Sequence, residues 1–313
     1  MAIPTNTLVS TDNVGNREDL TDLISRVAVE KTPILSAIGT GKATNTNHEW
    51  QTEDLANPDG DNKHLDGDDT AADAANVPTR LGNYCQIMKK APFVSGRTEA
   101  SKKAGRKSEM ARQMRIKSVE LKLDMEARLT GNYAKVAPAA GTEGETAGME
   151  ACISTNVDRG TGGASNAFGA AATDGTQRAF TETMLTDVID SCHLNGATPN
   201  KIFLGVKNKA KMNSFAGRAQ TVINASNTKT VHGSVSFYES DIGALHIIPN
   251  PIMRQRTALV LDPKFWCVSY FRNFQKKDLP SNGDNMKKQI LVDFTLEAKN
   301  EKSSAVIADL TTS

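Results

Sequence analysis

Ser108-Glu109-Met110-Ala111-Arg112-Gln113-Met114-Arg115-Ile116-Lys117-Ser118-Val119-Glu120-Leu121-Lys122-Leu123-Asp124-Met125-Glu126-Ala127-Arg128-Leu129-Thr130-Gly131 is the stretch on which the fold turns. It belongs to a proline-free run, residues 98–131, in which Gly105 is the one internal glycine and Gly131 stands where a helix-ending glycine belongs. The spacing predicts a single long helix, supported by an i,i+4 pair between Asp124 and Arg128. Its apolar residues form two stripes. Met110, Met114, Leu121, Met125 and Leu129 line one face, and Ile116, Val119, Leu123 and Ala127 line the other. A surface helix needs one stripe. Two require contact on both sides, within one domain or against a neighbouring subunit.

The start of this helix is basic. Arg97, Lys102, Lys103, Arg106, Lys107, Arg112, Arg115 and Lys117 crowd it, opposed by Glu99 and Glu109. Such a strip reads as a solvated face, a nucleic-acid contact or a dock for an acidic segment. An acidic segment lies just upstream. In residues 46–96, His48-Glu49-Trp50-Gln51 and Tyr84-Cys85-Gln86-Ile87-Met88 read as strands. They flank a polar middle holding Glu53, Asp54, Asp59, Asp61, Asp66, Asp68, Asp69 and Asp73, with Lys63 its only strong base. The pattern predicts a long hairpin with a loose tip. A loop that long in a compact domain is functional or disordered. Opposite-sign patches on one chain suit head-to-tail contacts between copies, which close into rings or shells. The inter-subunit candidates are therefore Asp59, Asp61, Asp66, Asp68 and Asp69 on one side, and Lys102, Lys103, Arg106, Lys107, Arg112 and Arg115 on the other.

Further upstream, residues 1–15 are polar and extended. Asn16 caps a short helix carrying Leu20, Leu23, Ile24 and Val27, and Thr32-Pro33 opens a second turn ending at Gly39. These pieces make an arm, not a domain. Downstream, 134–180 is rich in Gly, Ala, Thr, Ser and Asn, with order expected around Met149-Glu150-Ala151-Cys152-Ile153. An α/β stretch follows. It has a helix capped by Thr181, a strand at Lys201–Gly205, a helix with Ala210, Met212 and Phe215, and strands at Val235–Tyr238 and Ala244–Ile248. The C-terminal part is β-rich. Ile290, Val292, Phe294, Leu296 and Ala298 alternate with Leu291, Asp293, Thr295 and Glu297, predicting one buried and one mostly polar face. Ser304 to Leu310 is a last short strand.

Composition narrows the function. The 37 Lys+Arg residues balance 36 Asp+Glu, whereas binding nucleic acid by charge calls for a basic excess. Cys85, Cys152, Cys192 and Cys267 form no CxxC pair, so free thiols in a reducing compartment are expected rather than a disulfide framework or zinc site. No signal peptide and no run of roughly 20 apolar residues is present. A soluble product made in the cytoplasm is expected. No catalytic constellation survives inspection. Gly39-Thr40-Gly41-Lys42-Ala43 resembles a phosphate loop but has Ser36 and Ala43 where Gly and Ser/Thr are needed. Asp59-Gly60-Asp61-Asn62-Lys63-His64 departs from a calcium loop at Lys63 and His64. The five histidines show no ligand spacing. Neither cofactor nor enzymatic activity is expected.

The order of parts resembles the Hong Kong 97 fold of tailed-phage major capsid proteins, and most closely the SU-ten-like podophage type. The stretches that carry this are Val14–Leu20, Thr32–Gly39, His48–Gln51, Arg80–Tyr84, Ala104–Glu109 and Phe237–Pro249. The resemblance implies an α+β architecture: an N-arm (1–45), an E-loop (46–96), a P-domain made of a spine helix (97–132) and C-terminal strands (251–313), and an A-domain (133–250). It also implies self-assembly into the hexamers and pentamers of an icosahedral shell around double-stranded DNA. The protein would be found in the virion after assembly in the host cytoplasm, with no membrane partner. A portal protein, a possible decoration protein and weak non-specific DNA contact on the inner face are implied partners. The arm begins almost at once, so a separate scaffolding protein is expected. The E-loop would lie over a neighbour's P-domain, which favours the docking reading of the basic strip. An encapsulin-like nanocompartment is the alternative.

Overall fold

The computed structural model describes residues 28–29, 31–67, 69, 72, 74–215 and 237–312. The expected helix at 16–27, Asp68, Asp73 and the start of the strand at Val235 lie outside them. In chain order the first elements are α1 (Pro33–Ala37), β1 (Gly39–Lys42), β2 (Asn47–Thr52), β3 (Thr79–Tyr84), β4 (Gln86–Lys90), β5 (Phe93–Ser95), α2 (Gly96–Ala100) and α3 (Glu109–Thr130). There follow α4 (Met149–Cys152), β6 (Val157–Asp158), α5 (Glu182–Leu194), β7 (Lys201–Leu204), α6 (Val206–Met212), β8 (Phe237–Glu239), β9 (Ala244–Pro249), β10 (Ala258–Leu261), β11 (Trp266–Leu279), β12 (Asn285–Ala298) and β13 (Ala305–Ile307).

The long helix is shorter than expected. Residues 101–108 are irregular between α2 and α3, because Gly105 takes φ +68° and Ser108 starts a new helix, accepting a hydrogen bond from Ala111 N at 3.1 Å. The Glu99 carboxylate caps the same end, accepting from Glu109 N at 2.9 Å and Met110 N at 3.3 Å. At the other end Gly131 is extended, with φ −89°, so it is not the left-handed cap expected; any side chain there would strike the Tyr133 ring. The Asp124–Arg128 pair is also replaced. Asp124 binds Lys90 at 2.7 Å and Arg128 binds Glu145 at 2.9 Å, each tying the helix to another element. Met110, Met114, Leu121, Met125 and Leu129 are buried, whereas Ile116, Val119, Leu123 and Ala127 stay half-buried.

The buried stripe packs on a five-stranded sheet of order β1-β11-β12-β4, with β5 pairing the far end of β12. Ile290, Val292, Phe294, Leu296 and Ala298 all face it and are buried. Each of the first four side chains contributes about 1.5–3 kcal/mol. The opposite face of β12 is less polar in its surroundings than alternation implied. Asp293 and Thr295 are buried too, because the hairpin base and the 144–147 segment cover them. The Gly39-Thr40-Gly41-Lys42 run is strand, not a helix end. It pairs parallel with β11 from Gly39↔Cys267 to Lys42↔Tyr270, and a Cβ on Gly41 would lie 2.7 Å from Ser269 Oγ.

The hairpin pairs differently from expectation. β2 pairs with β3, from Asn47↔Tyr84 to Thr52↔Thr79. Gln86–Lys90, read as its return strand, instead joins β12 as an edge of the large sheet. The chain turns at the buried Cys85, whose N–H donates to Thr46 O at 2.8 Å. A second sheet has the order β6-β13-β10-β7-β9-β8 and is covered by α5 through Leu185, Val188, Ile189 and Cys192. Two of its strands, β10 and β13, come from the 251–313 segment expected to close onto the spine. All four residues of β10 are buried, as a central strand covered on both faces requires.

All four cysteines are free and buried. Burial pushes the thiols of Cys85, Cys152 and Cys192 up to about 12. The thiolate is the reactive form. Native protein at about pH 8 is therefore expected to consume almost no thiol reagent, and denatured protein four equivalents per chain. Rapid reaction of the native protein would contradict this packing.

Candidate inter-subunit surfaces

The hairpin is anchored at its base and bare at its tip. At the base, the buried Asn83 side chain donates to Thr146 Oγ1 at 3.0 Å and Leu296 O at 2.9 Å, and accepts from Ala147 N at 2.9 Å. His48 lies 3.1 Å from Glu297, and Trp50 stacks edge-on to Phe168 at 5.9 Å. Beyond Thr52 this anchoring stops. Every residue from 53 to 67 is exposed, and Leu55, Leu65 and Val77 are 88%, 80% and 83% exposed. The exception is an exposed pair between Asp54 and Lys302 at 2.6 Å.

The acidic candidates sit on this tip. Asp59 accepts from Asp61 N at 2.9 Å, and Asp61 pairs with Lys63 at 3.3 Å in full solvent. Asp66 and Asp69 are exposed. Among the described residues no group of His, Cys, Asp or Glu could hold a metal ion.

The basic candidates divide. Arg106 and Arg112 both pair with the buried Glu109, Arg112 at 2.8 Å. The hydrogen bond from Gln113, opposed by burial and joined by Arg112 and Arg106, holds that carboxyl below the ordinary range. Lys103 donates to the carbonyls of Glu99 and Ser101 at 2.9 and 3.1 Å. Lys102, Lys107 and Arg115 are exposed and make no ion pair among the described residues. Among the described residues, Asp59, Asp61 and Asp66 make no ion pair with the basic set. Sequence reading missed a third surface, a groove of about 730 Å³ between α3 and the β11–β12 hairpin end, lined by Met110, Met114, Val119 and Met286. Of the second stripe of α3 only Val119 reaches it; Met110 and Met114 come from the first stripe.

An arm, an outreaching hairpin, a spine helix on one sheet and a second α/β layer make up the Hong Kong 97 type of shell-protein fold. The chain superposes on a subunit of the cyanophage A-1(L) capsid with a TM-score of 0.65 at 14% identity, covering 97% of this chain and 100% of that one. It superposes somewhat less broadly on the SrpI encapsulin of Synechococcus elongatus, with a TM-score of 0.60 at 10% identity over 94% and 92% of the two chains. The chain belongs to the SU10 major capsid protein family, whose pattern it matches over residues 4–311. It is 34% identical over 136 residues to the major capsid protein of Escherichia phage Phieco32; the match covers 43% of this chain and spans 38% of that relative's length.

Proposed function

We infer that the chain is a non-enzymatic shell subunit, the major capsid protein of a tailed phage, assembling as hexamers and pentamers into an icosahedral head around double-stranded DNA. The observation that carries this reading is the bare acidic tip on an anchored hairpin, in a chain of a capsid family. In this reading residues 1–45 act as the N-arm and 46–96 as the E-loop, with its free part at 53–78. Residues 97–132 and most of 251–313 form the P-domain. Residues 133–250, with β10 and β13, form the A-domain around the local symmetry axes. A portal protein, a separate scaffolding protein, weak inner-face contact with DNA and, as an addition, a decoration protein complete the assembly in the host cytoplasm.

The acidic tip of one copy lies against a neighbour's basic strip, with Lys102, Lys107 and Arg115 as its available cations and Asp59, Asp61, Asp66, Asp68 and Asp69 facing them. One exposed pair supplies only about 0–1 kcal/mol, but repetition across a shell sets register. Reversing charge at Asp66, Asp68 and Asp69 is expected to cut particle yield sharply and to remove its salt sensitivity, scored by electron microscopy of the purified product made with its scaffold. Normal yield and unchanged salt response would rule the contact out. The likeness to an encapsulin supports a second reading, a cargo-holding nanocompartment. Terminase and portal genes beside this one separate the two.

A further inference from the structure

We propose that the pocket between β4, β12 and the 138–145 segment, with Asp293 in its lining, binds an alkylammonium group. The pocket has a volume of about 520 Å³. Asp293 stands on the face of β12 opposite Val292 and Phe294, cross-strand from Ile87 of β4. It is only 3% exposed. Its Oδ2 accepts from Arg272 Nε at 3.1 Å. Its Oδ1 is buried and accepts no hydrogen bond among the described residues. A buried carboxylate oxygen left bare is costly, and such groups are normally met by a donor. Burial accordingly holds the Asp293 carboxyl above the ordinary carboxylate range, and the Arg272 hydrogen bond and charge pull it back only in part.

The surrounding charge says which donor fits. The lining carries Asp293, Glu143 and Glu145 against Arg128 alone. Arg128 is committed within the chain. It pairs with Glu145 at 2.9 Å and donates to Thr146 O at 2.8 Å and Ala134 O at 3.1 Å. Glu143 is exposed at the rim and pairs with no cation among the described residues. The pocket therefore keeps a negative field that a cationic donor would relieve and an anion would not.

The walls narrow the class further. Ile87, 56% exposed, and Pro138 give the pocket apolar sides. Among the described residues no group of His, Cys, Asp or Glu could hold a metal ion. An alkylammonium meets both halves of the lining. Its stem lies along Ile87 and Pro138, and its three N–H groups reach Asp293 and Glu143. The pocket is also fixed in place. Gln86 Oε1 accepts from Thr146 N at 3.2 Å, and a Cβ on Gly144 would lie 2.9 Å from Cys85 O. Two sources present this chemistry, a free alkylamine or a lysine side chain of a neighbouring subunit.

Equilibrium dialysis of labelled n-pentylamine against the unassembled full-length chain tests the proposal, and does so independently of the shell reading. The expected result is saturable uptake at a single site that uncharged n-pentanol does not compete for. Asp293→Asn is expected to weaken it at least about tenfold, as loss of a hydrogen bond to a charged group does. Glu143→Gln, an exposed change that leaves the core untouched, is expected to weaken it about two- to fivefold. Absence of saturable uptake would overturn the proposal and mean that a proton alone relieves Asp293. Uptake that neither variant weakens, or that pentanol matches, would overturn it as well. Assembled shells then separate the sources. Uptake that persists in them assigns a free amine. Uptake lost on assembly assigns a neighbour's lysine, which a zero-length carbodiimide reagent is expected to join to Glu143.

Discussion

Glu150→Ala is expected to destabilise the chain by about 3–5 kcal/mol, the usual effect of stripping one partner from a buried ion network. Glu150 is fully buried on α4. Its carboxylate lies 3.1 Å from Arg159 and 3.2 Å from Arg254, and accepts from Thr257 Oγ1 at 3.1 Å. Arg159 is itself almost fully buried, so the alanine variant leaves a guanidinium with neither solvent nor counter-ion. The network extends outward through Arg254 to Asp174, then to Arg256 and the buried Asp309. It joins α4, the 156–178 segment, the entry to β10 and the chain's end. A urea titration followed by tryptophan fluorescence checks this. Glu150→Gln, which keeps the shape and one acceptor, is expected to lose less. An alanine variant within about 1 kcal/mol of wild type would show that the network contributes nothing net.

The sequence and the structure agree where the signal is local. Helix periodicity exposed α3 and its buried stripe. The strict alternation of β12 pointed to the sheet face that α3 covers. What stayed hidden depends on partners far away in the chain. Arg80-Leu81-Gly82-Asn83-Tyr84 has poor strand formers at its centre, so the true return strand of the hairpin was passed over for the more apolar run beside it. Gly82 is there because Glu49 crosses close above it, and Asn83 because it bonds Thr146, Ala147 and Leu296. Nothing local announces those contacts. The groove was half legible. Its α3 wall, Met110, Met114 and Val119, lay within the predicted helix, but the β11–β12 hairpin end that forms the opposite wall is more than 150 residues away in sequence. The helix break at 101–108 was written in Gly105 and Ser108, two residues that a continuous periodic pattern outweighed.

Glu126→Ala is expected to loosen the arm from the spine. Glu126 is fully buried in α3, and no side chain of Thr32 caps α1. The carboxylate does so instead, accepting from Ile34 N and Leu35 N at 2.9 Å each, and it also accepts from Asn250 Nδ2 at 2.7 Å. One side chain thus pins the arm, the spine helix and the end of β9. Alanine would orphan two buried donors and one half-buried donor, each buried one costing about 1–3 kcal/mol if unrelieved, so a net loss of about 2–4 kcal/mol is expected, since removing a buried charge offsets part of it. Proton linkage distinguishes this from simple loss of packing. Burial pushes the Glu126 carboxyl above its ordinary value of 4.5, outweighing the Leu35, Ile34 and Asn250 hydrogen bonds that pull it down. A carboxyl raised in the folded state binds its proton more tightly there than in the unfolded chain. Its contribution is therefore full below about 4.5 and declines as pH rises through the raised folded value. The gap in stability between wild type and variant is expected to narrow from acid toward neutral pH. The arm's release would show as faster amide exchange at Ile34 and Leu35. A gap that is constant or widens with pH, or unchanged exchange at those two amides, would mean that the arm is held by the burial of Ile34 and not by this carboxylate.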